Sequence, residues 1–194
     1  MIKKEIMKKI LSISVMCLST FVFSQVRIGS ASSNVLSSSS VLLEFGDTKD
    51  KGLVLPYVEV LPAEGSQQAK GGTLVFDITS TGEYRVKVKN ENSGWSDLSG
   101  QSGYSSLVES RVKTPQSGFS DITGAKTIIG TSETTTDGVL VLESADKAMV
   151  LPIVDDYKNI KNPSAGMIAF LKGATASGHR LLVFNGQTWS FWKP

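Results

Sequence analysis

The sequence predicts an all-β protein of two related units, built from short and mostly antiparallel strands. Three observations predict it. First, Lys51-Gly-Leu-Val-Leu-Pro56 returns 96 positions later as Lys147-Ala-Met-Val-Leu-Pro152. Second, Thr73–Ile78 alternates, with Leu74, Phe76 and Ile78 on one face and Asp77 on the other, the period of a half-buried strand. Third, Asn185-Gly186 between apolar runs is a strong hairpin signal, because both residues tolerate the φ > 0 of a type I′ turn. The duplication extends beyond its motif. Each copy follows an apolar run ending in glutamate, Val41-Leu-Leu-Glu44 and Leu140-Val-Leu-Glu143. Each precedes Gly-x-aliphatic-x-Phe, Gly72–Phe76 and Gly166–Phe170, and closes on a tryptophan, Trp95 or Trp189. The interval from glycine to tryptophan is 23 residues in both copies, so we read an internal repeat.

Residues 1–24 read as an export signal. Lys3, Lys4, Lys8 and Lys9 precede a 14-residue apolar stretch, Ile10–Phe23, and Val22-Phe-Ser24 places cleavage before Gln25. A membrane span would need about 20 apolar residues. A buried N-terminal helix fits less well, because the stretch has no charged face. Cys17 is the sole cysteine. Met16 before it and the apolar residues after it argue against a lipidation site. The exported chain would then lack disulfides and thiolate chemistry. It would carry 16 Lys+Arg against 17 Asp+Glu, which leaves no basic excess to favour nucleic acid.

The first unit is expected over 25–99. Val26–Gly29 opens it, and seven of the ten residues Ser30–Ser39 are Ser or Asn, which predicts loop or extended chain. Val41–Phe45 reads as a strand, Gly46–Gly52 as a turn, and Leu53–Leu55 as a short strand ended by Pro56. Pro62–Gly72 is expected as a polar loop with room for a short helix over Ala63–Ala69. Arg85, Lys87 and Lys89 alternate with valines and so share one face of a strand, read as a solvated outer face. Residues 100–128, rich in Gly, Ser and Thr, read as a linker with one or two weak strands. The second unit is expected over 129–194. Ile129-Gly-Thr131 echoes Ile28-Gly-Ser30, Asp155–Asn162 has room for a helical turn or two, and Arg180–Phe184 is a strand apolar on both faces.

The sequence offers little chemistry. The one histidine, His179, sits in a turn-like stretch beside Arg180, which is poor context for a triad. Metal sites built from several His and Cys are excluded by count. Asp47 and Asp50, or Asp155 and Asp156, match no EF-hand pattern. No phosphate-cradling glycine loop is present. We therefore expect no catalytic, cofactor or metal residues. Trp95 and Trp189 hold equivalent repeat positions and are expected to lock each unit. Trp192, with Tyr104 or Tyr157, is the better candidate for stacking a sugar.

The pattern of Ile-Gly-Ser/Thr, apolar strand, Lys-Gly-Leu-Val-Leu-Pro, Gly-x-Leu-x-Phe and Asn-Gly-x-x-Trp resembles a module of exported surface proteins of Bacteroidota, found also in phage tail-fibre-like chains. This chain departs from it where Tyr57 and Ile153 replace an arginine, and where Phe184 precedes Asn185 in place of tyrosine. The resemblance implies a structural or adhesive role outside the cell and carries no catalytic residues.

Units of about 60–70 residues bury a modest share of their surface and often need neighbours. The expectation is a non-enzymatic, exported protein acting by assembly, at the outer cell surface, in the medium or in the periplasm. Self-association or another surface protein is the expected partner, with Leu181–Phe184 as the contact. A glycan-binding module using exposed aromatics is the alternative. Neither nucleic acid nor a membrane span after signal removal is expected.

Overall fold

The computed structural model describes Met7 and residues 25–29, 36–46, 49–62, 69–122 and 124–193. Apart from Met7, the expected signal with Cys17 and its cleavage point lies outside these residues, as does 63–68 of the possible first-unit helix. The chain is all-β, with one short α-helix, α1 (Ser106–Lys113), among the described residues.

Fourteen strands among the described residues fall into two matched sets of seven. The first set is β1 (Val26–Ile28), β2 (Val41–Phe45), β3 (Leu53–Val54), β4 (Tyr57–Val58), β5 (Leu74–Asp77), β6 (Arg85–Asn90) and β7 (Gly94–Asp97). The second is β8 (Thr127–Ile129), β9 (Leu140–Leu142), β10 (Ala148–Val150), β11 (Ile153–Val154), β12 (Met167–Leu171), β13 (Arg180–Phe184) and β14 (Trp189–Trp192). Within each set the pairing is the same. The first two strands run parallel. The fourth lies parallel to the fifth, and the fifth, sixth and seventh form an antiparallel meander. Register is kept as well: Phe76 faces Val86 as Phe170 faces Leu181, and Lys89 faces Trp95 as Phe184 faces Trp189. The Phe76 amide donates to the Pro56 carbonyl at 2.8 Å, and Phe170 donates to Pro152 at 2.9 Å. The proline ending each motif thus still offers its carbonyl to the meander, although it has no N–H to give.

The two sets are interlocked. The second unit's β10 pairs parallel with β2 of the first, with a register slip between Ala148 and Met149. The first unit's β3 pairs antiparallel with β12 of the second, and Leu55 donates to the Gly166 carbonyl at 3.1 Å. Because β2 lies between β1 and β10, its run Val41–Glu44 is buried throughout. Glu44 tolerates this by accepting from the Ser37 amide at 2.9 Å, with the Arg27 guanidinium 4.0 Å away.

The main core joins both units: Leu55, Phe76, Tyr84 and Val86 from the first, Ile168 and Val183 from the second. The α1 helix packs into it through Val108 and Val112, which one helical turn places on one face. This helix stands inside the segment expected as a linker with weak strands. Its start is fixed by the Ser105 hydroxyl, which accepts from the Val108 amide at 3.2 Å. Glu109 and Lys113 pair across one turn at 3.1 Å, and Pro115 lies just past its end. The i, i+4 valines after a capping serine are the signal that the expectation of weak strands passed over.

One further expectation changes, and one is met by a single turn. The Asn185-Gly186 hairpin joins β13 to β14, but not through a two-residue type I′ turn. Gly186 has φ +101°, whereas Asn185 is absent from the positive-φ residues. The Asn185 side chain is buried and its Oδ1 accepts from the amides of Gln187 (2.9 Å) and Thr188 (2.8 Å), while the Asn185 amide donates to the Thr188 carbonyl at 3.2 Å, so the turn centres on Gly186 and Gln187. Over Asp155–Asn162 a single 3-10 turn forms, Tyr157–Asn159, capped by the Asp156 carboxylate accepting from Lys158 at 2.9 Å.

Candidate functional site

Equivalent faces of the two meanders carry opposite chemistry. In the first unit, strand alternation places Arg85, Lys87 and Lys89 on one face with Asp77 and Asp97. This face is not the solvated one expected. Asp77 is fully buried and Lys89 is 5% exposed. The Lys87 ammonium sits 2.7 Å from both the Asp77 and the Glu83 carboxylates. Arg85 pairs with Asp97 through a short contact and lies 3.9 Å from Glu83. Asp77 and Asp97 also each hold a turn: Asp77 accepts from the Thr79 amide at 2.9 Å and Asp97 from the Ser99 amide at 2.7 Å. Burial works against the Lys87 charge, but the Asp77 and Glu83 carboxylates outweigh it and raise its pKa above the usual lysine value. With these groups already paired to one another, the network ties three strands together and presents no open catalytic group.

In the second unit four of the five equivalent positions are apolar, and Arg180 stands where Arg85 does. Leu171 replaces Asp77, Leu182 replaces Lys87 and Phe191 replaces Asp97, as the shared register requires. Leu182 packs with Val154, Ile160, Met167 and Ala169 into a second core. At its edge stands an aromatic cluster. Trp189 packs on Phe184 at 4.9 Å, and Tyr157 meets Phe191 edge-on at 5.1 Å and Trp189 at 6.3 Å. Phe191 remains exposed, and the Lys158 ammonium lies 6.0 Å from the Tyr157 ring.

The tryptophans therefore divide differently from expectation. Trp95 and Trp189 are both half-buried at equivalent places, and Trp95 donates to the Pro62 carbonyl at 3.3 Å. Trp192 is exposed on the opposite side of β14 from Phe191 and donates to the Leu98 carbonyl at 2.7 Å. Neither suggested companion joins it. Tyr157 packs on Trp189 and Phe191, and Tyr104 packs on Tyr84 at 5.2 Å. The aromatic surface is Tyr157, Trp189 and Phe191. Residues 189 and 191 could have shown it, since period two puts them on one face.

The remaining described candidates, His179, Asp50 and Asp155, pair with different neighbours. His179 lies edge-on to Phe170 at 5.6 Å, repeating the Tyr84–Phe76 contact of the first unit at 6.2 Å. Asp47 lies outside the described residues. Asp50 contacts Lys51 at 3.4 Å and Asp155 pairs with Lys49 at 3.1 Å. Among the described residues no three His, Cys, Asp or Glu gather to hold a metal. A cleft beside α1, between Tyr57 and Ala165, has Arg111 and Lys161 as its charged liners and no acid among them. Leu181–Phe184 is spent inside the fold: Val183 and Leu181 enter the shared core, Leu182 and Phe184 the second core. Any assembly contact must lie elsewhere.

Sheet edges are the surfaces left. Among the described strands, β9 pairs with β8 alone, and β10 pairs with β2 alone. The β14 and β7 strands each end a meander. Exposed strand edges offer unpaired N–H and C=O groups that template further pairing. No helix among the described residues is long and apolar enough to cross a membrane. No family model matches this chain, and no curated protein or solved structure matches it either.

Proposed function

We propose that this chain is a non-enzymatic, exported structural or adhesive protein that works by assembling β-rich repeat units. The interlock of the repeats carries this reading. Each unit completes one sheet with a strand borrowed from the other, and among the described strands β9, β10 and the Leu74 end of β5 keep an unpaired edge. Strand addition of this kind supplies affinity through main-chain hydrogen bonds. The resemblance to exported surface modules supports the same role and the same location outside the cytoplasm. The test is light scattering on the chain from Gln25 onward, across a concentration series. Mass rising with concentration supports assembly. A monomer up to several hundred micromolar overturns self-association and leaves another surface protein as the partner.

The aromatic cluster, half-buried at Tyr157 and Trp189 and exposed at Phe191, favours a second reading, glycan binding at these three residues. Its test is tryptophan emission during titration with oligosaccharides. A saturable shift that Phe191→Ala abolishes supports it, and no shift across a varied glycan set removes it.

A further inference from the structure

The two repeats are related by one operation, and among the described strands β9, β10 and part of β5 lack the pairings it calls for. Between the units, β3 of the first lies on β12 of the second, and β10 of the second lies on β2 of the first. Moved forward one unit, the same operation asks for two more pairings. The β10 strand would lie on the fifth strand of a following unit, and β9 would receive the third strand of that unit. A second copy of this chain presents both: its own β5 and its own β3.

We propose that copies of this chain stack head to tail by the operation that relates the two repeats, β10 entering the open part of the next copy's β5 edge at Thr73–Leu74. This rests on the assembly reading and names its partner as the chain itself.

Four observations carry the match. Leu140 on β9 is 41% exposed, whereas its equivalent Val41, covered by β10, is 5% exposed. Leu55 donates to the Gly166 carbonyl, while the equivalent Leu151 amide donates to no backbone carbonyl among the described residues. On β5, β4 covers Phe76 and Asp77, and no described strand covers Leu74 on that edge. Gly166 is crowded by Phe76 and Tyr57 from the first unit, so that an added Cβ would lie 2.8 Å from the Phe76 Cβ. Its equivalent Gly72 has nothing within 4 Å among the described residues, and the side chains that would fill that space, Phe170 and Ile153, stand half-buried and exposed in the second unit. What the internal interface buries is, among the described residues, less covered at β9 and Ile153 of the second unit and at Gly72 of the first.

One position resists. Ala148 replaces Gly52, where an added Cβ would come within 2.8 Å of the Ile168 carbonyl oxygen. The docked strand must shift slightly, which weakens the copy–copy contact relative to the internal one and keeps the assembly reversible. The contact is heterologous, so it closes a ring or extends as a filament according to its rotation.

The test is disulfide trapping in the chain from Gln25 onward, which contains no cysteine. Val54 faces Met167 in the internal interface, in a non-hydrogen-bonded pair where side chains approach closely. The equivalent pair between copies is Val150 and Thr73. A mixture of Thr73→Cys and Val150→Cys chains should give a cross-linked heterodimer under mild oxidation, and the double variant a ladder. Val54→Cys/Met167→Cys should close within one chain and serves as the control for reactivity. Ala148→Gly should tighten association by about tenfold, and Leu140→Lys should weaken it by at least as much. Thermal melts of dilute samples confirm that each variant folds. If the control closes and mass rises with concentration, but the Thr73→Cys and Val150→Cys chains do not cross-link, this geometry is wrong while assembly stands. If mass also stays flat, self-association falls with this geometry, and another surface protein is left as the partner.

Discussion

Replacing Gly166 and Gly72 by alanine measures how much the repeat interface contributes. Both glycines have positive φ, +74° and +89°, so alanine strains either backbone by roughly 1–2 kcal/mol. At Gly72 nothing among the described residues lies within 4 Å, and the cost stops there. At Gly166 the new methyl also meets Phe76 at 2.8 Å (Cβ) and 3.0 Å (Cγ), and Tyr57 at 3.3 Å. Phe76 is fully buried and its ring packs on Tyr57 and Tyr84, so it cannot swing away. Overpacking of this kind adds about 1–3 kcal/mol. Gly166→Ala should therefore cost about 2–5 kcal/mol in all, and Gly72→Ala about 1–2. Urea unfolding with linear extrapolation, on dilute protein so that copies do not associate, reads both values. Costs equal within about 0.5 kcal/mol would refute the close approach of Phe76 to the second unit.

Lys87→Met should cost about 3–5 kcal/mol, because it strands the buried Asp77 carboxylate, whereas Asp77→Leu/Lys87→Leu, which copies Leu171 and Leu182 of the second unit, should be near neutral or stabilising; equal losses in the two variants would show that the ion pair does not hold Asp77. Stability should also fall in alkali. Lys87 (burial opposing, the Asp77 and Glu83 carboxylates prevailing), Tyr57 (burial) and Tyr84 (burial, then the Glu109 charge) all have raised pKa values in the folded chain. Their contribution is intact below about pH 10 and is lost as pH rises through the unfolded and then the folded values. Urea midpoints should be level from pH 7 to about 9 and drop beyond, and midpoints still level at about pH 11 would contradict this. Tyr84→Phe should shallow that drop with little loss at neutral pH, since no group among the described residues meets the hydrogen-bond geometry at its buried hydroxyl, although the nearby Glu109 helps raise its pKa. Trp189→Ala should cost about 2–4 kcal/mol, less than for a fully buried ring, by opening the Phe184 and Tyr157 contacts; a change under about 0.5 kcal/mol in a reversible melt would remove Trp189 from the core.

Much of the local structure is legible in the chain. Alternation at Leu74, Phe76 and Ile78 and the apolar run Val41–Phe45 mark strands because side-chain period and strand face are set by the backbone itself. The duplication is legible for the same reason: equivalent residues meet equivalent local demands, so Phe76 and Phe170 bond the same prolines of their repeats. The charged face of β6 is legible as a face but not as buried, because alternation says which residues share a side and not what covers it. The carboxylates that draw Lys87 inward come from β5 and from the turn after it. The aromatic surface was half visible: Trp189 and Phe191 share a face by period, but Tyr157 reaches it from a turn some thirty residues earlier.

The sequence by itself determined the strand-rich class, the twofold repeat and the positions of its motifs, since these follow from local period, turn chemistry and self-comparison. Tertiary structure alone decided that β10 lies on β2 and β3 on β12, and hence which edges stay open. Every strand edge offers the same N–H and C=O groups, so no residue pattern names its partner. The choice was made by packing, where Gly166 lets Phe76 and Tyr57 of the other unit come close.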